Sequence, residues 1–203
     1  MVKKVYIGSM NMRGKWADKP HDNCIIINVT SAQEKLSKNR RDFSPMTEII
    51  GGYKGFWNFE SYWQQGKVFE DIPHEISKDW WLKLKEPKRR YPSSKGKTVL
   101  YAEFDDFPGE QLDYVSSRKK VYVPEYYNLI KDREQVLYYQ NKLKKHDIII
   151  YDFDGPRKDN GDVTTDEVTV EYLREKINQT QFPFGHGYVV AGLILGITPL
   201  EYI

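Results

Sequence analysis

The sequence predicts an α+β fold, a single domain in which a mixed sheet of about four to five strands is covered by helices. Three observations predict it. Short apolar or alternating runs of strand length recur along the chain, at Val2–Ile7, Cys24–Val29, Val99–Phe104 and Ile148–Tyr151. Stretches with helical spacing lie between and after them, foremost Gly55–Glu70 and the region beyond Pro124. The 203 residues suffice for one core, and no internal repeat or coiled-coil pattern divides them.

In chain order, Val2–Ile7 alternates and is read as a strand ended by Gly8. The loop after it places Arg13 and Lys15 beside Trp16, a cation-and-ring grouping that suits a phosphate and a base or a packed surface loop equally well. Cys24–Val29 is a near-continuous apolar run and predicts a buried strand. Ser31 and Glu34 have capping-box spacing and predict the start of a helix or a helical turn. Lys35, Lys38, Arg40 and Arg41 follow within seven residues, a basic cluster that suits a pyrophosphate or a nucleic-acid backbone.

Gly55–Glu70 holds many large aromatics and few charges, and the spacing predicts one helix. On a 3.6-residue period Glu60, Trp63, Gln64 and Lys67 share a face, with Phe56, Phe59 and Tyr62 on a neighbouring stripe. A carboxylate among rings is raised by desolvation and lowered by a lysine partner, so Glu60 is a candidate acid or base. Ser77 predicts the cap of a short helix carrying Trp80 and Trp81. Residues 85–97 form a basic loop with two prolines, expected to separate two halves of the chain. Lys95-Gly96-Lys97-Thr98 within it has the ending of a phosphate-binding loop, but Tyr91 stands where the first glycine is needed and a strand pattern follows, so that reading is rejected. Val115–Val123 predicts loop and strand, and Glu125 to Lys144 a helix. Thr165-Asp166-Glu167 predicts the opening of another helix, and Tyr188–Ile197 an apolar one.

Composition narrows the function. Thirty-one Lys and Arg stand against 29 Asp and Glu, a net charge of +2, which excludes a global basic field and leaves local patches open. The single cysteine, Cys24, forms no internal disulfide and suits a reducing compartment. No apolar run of membrane-spanning length and no signal-peptide pattern is present, so a soluble cytoplasmic protein is expected. The four histidines are scattered, so neither a metal nor a cofactor is expected.

Two stretches carry a resemblance. Glu60-Ser61-Tyr62-Trp63-Gln64-Gln65-Gly66-Lys67 resembles the Glu-His-Tyr-Phe-Gln-Ala-x-Lys helix of the NADAR superfamily, which is associated with ADP-ribose and N-glycoside chemistry; Ser61 stands at the family's histidine. Phe184-Gly185-His186-Gly187 through Gly196 is similar to the family's closing stretch, with Phe182-Pro183-Phe184-Gly185 in place of its Asp-x-x-Trp-Gly. The resemblance implies an N-glycosidase or ADP-ribosyl hydrolase in which Glu60 stabilises an oxocarbenium ion or activates water. Lys67 and His186 would assist, and Trp63 and Gln64 would contact the ligand. Lys35, Arg40 and Arg41 would hold its pyrophosphate, and Gly185 and Gly187 would bring backbone N–H groups close to it. As a whole the chain also resembles uncharacterised proteins of large DNA viruses and phages, which implies a host-cytoplasmic setting.

Ile148–Gly155 resembles the first motif of haloacid-dehalogenase-type phosphatases, four apolar residues and then Asp-x-Asp. Pro156 stands where that motif carries Thr or Val, and the 49 residues after Asp154 are too few for its remaining parts. Asp152 and Asp154 are therefore read as ligand-binding candidates at the C-terminal end of a buried strand. The alternative to an enzyme is a non-catalytic protein that binds or sequesters a nucleotide or a modified nucleic acid, its basic tracts and tryptophans supplying phosphate contacts and stacking.

Overall fold

The computed structural model describes residues 2–203. In chain order its elements are β1 (Val5–Ser9), β2 (Ile25–Asn28), α1 (Lys38–Phe43), α2 (Phe59–Gln65), β3 (Lys67–Phe69), α3 (His74–Lys83), β4 (Val99–Ala102), α4 (Tyr114–Ser117), α5 (Val123–Ile130), α6 (Glu134–Leu143), β5 (Ile148–Asp152), β6 (Thr165–Glu167), α7 (Val170–Asn178) and α8 (His186–Leu195). The fold is of the α+β class, with a mixed four-stranded sheet and a separate two-stranded one. The chain divides into two compact units, one made of the residues up to Ser44 with Val123–Ile203, the other of Pro45–Tyr122. The basic tract 85–97 lies inside the second unit.

The first unit contains the sheet β2-β5-β1-β6. Val5 and Ile25 both pair with Ile148, making β1, β5 and β2 parallel, while β6 runs antiparallel on β1 with Tyr6 opposite Glu167. All five residues of β5 are buried, as the apolar run Ile148-Ile149-Ile150-Tyr151 requires of a central strand. Its side chains alternate between faces. Ile149 and Tyr151 pack with Ala17 and Cys24, and α8 packs against β1 and β5. Nine of the ten residues of α8 are buried, which is why it is apolar all round.

Four expectations are corrected in this unit. Gly8 does not end β1 but lies within it, paired with Tyr151. Ser31 does not open a helix; Ser37 does, its side chain accepting from the Arg40 N–H. Thr165-Asp166-Glu167 is strand β6, and the helical start is Thr169, which accepts from the Tyr172 N–H. The helix expected from Glu125 to Lys144 is two helices, because the Asp42 carboxylate accepts the Gln135 N–H at 3.1 Å and caps a new helix at that point.

In the second unit, the Gly55–Glu70 stretch is not one helix. Asn58 caps α2, its side chain accepting from the Ser61 N–H at 2.8 Å, and the helix ends after seven residues at Gly66. A Cβ at Gly66 would stand 2.4 Å from the Phe104 ring, so only glycine lets the chain turn there into β3. Lys67 thus belongs to a strand, paired opposite Ala102, and does not share a helical face with Glu60. Pro73, not Ser77, is the cap position of α3. Val115–Val123 is helical throughout: α4 is capped by Asp113, a π-helical turn spans Arg118–Tyr122, and α5 begins at Val123. The core of this unit is aromatic, with Phe59, Tyr62, Trp63, Phe104 and Tyr122 in ring contact.

Candidate functional site

The pairing of β3 with β4 builds the second unit's cavity. Opposed residues on an antiparallel pair project to the same face. Lys67 lies opposite Ala102, and Leu112 bridges to Ala102 in turn. Trp63, from the last turn of α2, is stacked on Phe104 with ring centroids 5.8 Å apart and held by Tyr122 at 4.9 Å. Trp63, Lys67, the β4 residues Val99 to Ala102, Leu112, Tyr114 and Ser117 line a cavity of about 360 Å³. Its wall is aromatic and aliphatic, with one cation and the hydroxyls of Tyr101, Tyr114 and Ser117. No carboxylate lines it. Such a wall can stack a planar ring and pair an anion.

Of the predicted residues, Trp63 and Lys67 meet in this cavity. Glu60 and Gln64 are not on its lining. They bond to each other, the Gln64 amide donating to the Glu60 carboxylate at 2.7 Å. Nearby, the Lys54 ammonium, 3.0 Å away, and the Tyr62 hydroxyl hold the Asp106 carboxyl below the usual carboxylate range.

Asp152, Asp154 and the Gly185-His186-Gly187 turn meet at the C-terminal end of β5, and there the chain fills its own site. Asp152, 1 % exposed, accepts the Gly187 N–H at 2.9 Å and lies 3.3 Å from His186 Nδ1. His186 Nε2 stands 2.7 Å from the Val29 carbonyl oxygen, which can only accept, so that nitrogen carries a proton. A Cβ at Gly187 would stand 2.7 Å from the Asp152 Cβ, and one at Gly185 would stand 2.6 Å from the Asp154 Cβ. The Gly187 N–H is thus directed at an anion of the chain itself, the Asp152 carboxylate. Burial pushes the Tyr188 hydroxyl, in the same helix, above the ordinary phenol range.

The basic cluster also lies in the first unit. Arg41 holds the Asp42 carboxylate at 2.6 and 3.1 Å and Glu134 at 3.0 Å, while Arg40 donates to the Gln33 carbonyl at 2.8 Å. Burial alone would raise Asp42, but the Arg41 guanidinium and the Gln135 N–H outweigh it and hold the carboxyl low. Lys35 is exposed. Glu60 and His186 therefore fall in different units, as do the two stretches that carry the family resemblance.

Tyr101, Leu112 and Tyr114 were missed as site residues. Asp113-x-x-Ser116, which caps α4 through the Ser116 N–H at 2.7 Å, was a readable signal that Tyr114 opens a helix. Nothing local told that β4 would bring Tyr101 to Trp63. Among the described residues no helix is long and apolar enough to cross a membrane, and no group of three His, Cys, Asp or Glu could hold a metal ion.

No family model matches the chain, and neither a curated protein nor a solved structure is found to match it. The resemblance at residues 55–70 and 184–196 stands on its residues alone.

Proposed function

We propose that the Pro45–Tyr122 unit binds a nucleotide-type ligand, a planar base joined to an anionic group, in the cavity lined by Trp63, Lys67, Tyr101 and Tyr114. The observation that carries this reading is the meeting of Trp63 and Lys67 on one lining. A base stacked on an aromatic side chain gains about 1–3 kcal/mol, and an ammonium pairs with phosphate as a point charge. The volume lies within the range of small-molecule sites. The absence of a carboxylate from the lining favours binding without turnover, as in a protein that sequesters a nucleotide; free Cys24 suits the reducing cytoplasm for such a role.

The test is calorimetric titration with AMP, adenosine and ribose 5-phosphate. AMP is expected to bind more tightly than either fragment, and Lys67→Met to bring AMP down to the affinity of adenosine. Equal binding of AMP by the wild type and Lys67→Met would overturn the reading.

A second reading rests on α2, which carries Glu60 one turn ahead of Trp63, with the carboxylate held by the Gln64 amide. In an N-glycosidase or ADP-ribosyl hydrolase that carboxylate would stabilise positive charge at the anomeric carbon. Incubation with NAD and ADP-ribosylated guanosine, with products detected by mass, separates the two readings. Release of ADP-ribose that vanishes in Glu60→Gln supports hydrolysis, and binding without product supports sequestration.

A further inference from the structure

One short element backs two walls of the cavity. In the π-helical turn Arg118–Tyr122, the Arg118 guanidinium lies 3.8 Å from the centroid of the Tyr114 ring, and four residues later the Tyr122 ring rests on Trp63 at 4.9 Å. Arg118 is 1 % exposed, whereas Tyr114 is 46 % exposed and lines the cavity. Burying a guanidinium is costly, and a cation–ring contact is strongest where water is excluded. π-Helical turns inside helices occur frequently at functional sites. A half-exposed tyrosine at a helix start would otherwise sample several rotamers and lose that freedom on binding.

We infer that Arg118 is a positioning residue for the ligand: it holds one face of the Tyr114 ring so that the other serves as a stacking platform for a planar base. This rests on the nucleotide reading of the same cavity and deepens it, making Tyr114 a second aromatic contact beside Trp63. Arg118 touches the ligand only through Tyr114.

The experiment has a ligand-free and a ligand-bound arm. Without ligand, ring-carbon relaxation of Tyr114 by NMR is compared in the wild type, Arg118→Lys and Arg118→Met. The ring is expected to be ordered in the wild type and to lose order in Arg118→Met; unchanged order in a folded Arg118→Met overturns the inference. Where Arg118→Met does not fold, Arg118→Lys is expected to move the Tyr114 ring resonances more than those of any other tyrosine, and unmoved resonances overturn it. With ligand, Arg118→Met is expected to weaken AMP binding about tenfold, the scale of one lost stacking contact. In a Tyr114→Leu background it should cost nothing further. Equal losses in both backgrounds show a merely structural role and overturn the inference while nucleotide binding stands. Failure of the wild type to bind AMP overturns the nucleotide reading instead, and the ring-order arm still decides whether Arg118 fixes Tyr114.

Discussion

The end of β5 and the cleft beside β4 both bring polar groups up to aromatic rings, yet the first is filled by the chain and the second is open. At β5 the Asp152 carboxylate occupies the N-terminus of α8, accepting the Gly187 N–H and facing His186. A carboxylate there gains from the helix dipole as well as from the hydrogen bond. Beside β4, Lys67 and the rings of Trp63, Tyr101 and Tyr114 line a volume of about 360 Å³. The contrast teaches that glycines around a helix start mark close approach to an anion, and that the anion can be the protein's own side chain.

The largest expected effect breaks the filled region. Asp152→Ala leaves the buried Gly187 N–H without its acceptor and should cost about 1–3 kcal/mol of stability in chemical denaturation, with loss of the charge at the α8 N-terminus adding up to about 2 kcal/mol. A loss under 1 kcal/mol, on the order of a surface substitution, would mean the carboxylate is not the anchor of α8. Next, Gly187→Ala forces a methyl to 2.7 Å from the Asp152 Cβ and should cost about 1–3 kcal/mol, read the same way. The open region should respond in ligand binding. Lys67→Met is expected to weaken AMP binding about tenfold, the scale of one charge-assisted contact.

How much of this was legible depends on where each signal lies. β5 was readable because a strand buried by its neighbours is a continuous apolar run, and α8 because it is apolar all round; β2 was expected to be buried for the same reason, but it is an edge strand with Ile26 exposed, since only β5 pairs with it. The segment from Val115 to Val123 was misread as loop and strand because Val115, Val121, Tyr122 and Val123 are strand-favouring types; packing of Tyr122 on Trp63 and of Arg118 on Tyr114 overrode that preference. α2 was drawn too long because Gly66 looked tolerable within a helix until the Phe104 ring was known to stand over it. Trp63 was named as a ligand contact and Lys67 as a catalytic residue, both on a shared helical face that does not exist. The pairing of β3 with β4 restores their proximity by another route. The break between α5 and α6 depends on Asp42, some ninety residues away in sequence, and no local pattern reveals it.

The smallest expected effect concerns acid. Asp42 is held below its unfolded value, so its contribution is complete above about pH 4, the ordinary carboxylate range, and is lost as pH falls through its folded value. Asp42→Asn should therefore flatten the fall in stability below that pH while lowering stability at neutral pH. An unchanged acid slope would show that the Arg41–Asp42–Gln135 corner does not govern acid unfolding.

The central claim is that the ligand site is the open cleft and not the filled β5 end. The most direct measurement is amide and side-chain NMR shift mapping during titration with AMP. The account predicts shifts concentrated at Trp63, Lys67, Tyr101 and Tyr114, with Asp152, His186 and Gly187 unmoved. Shifts centred on Gly185–Gly187 and Asp152, with the cleft silent, would contradict it.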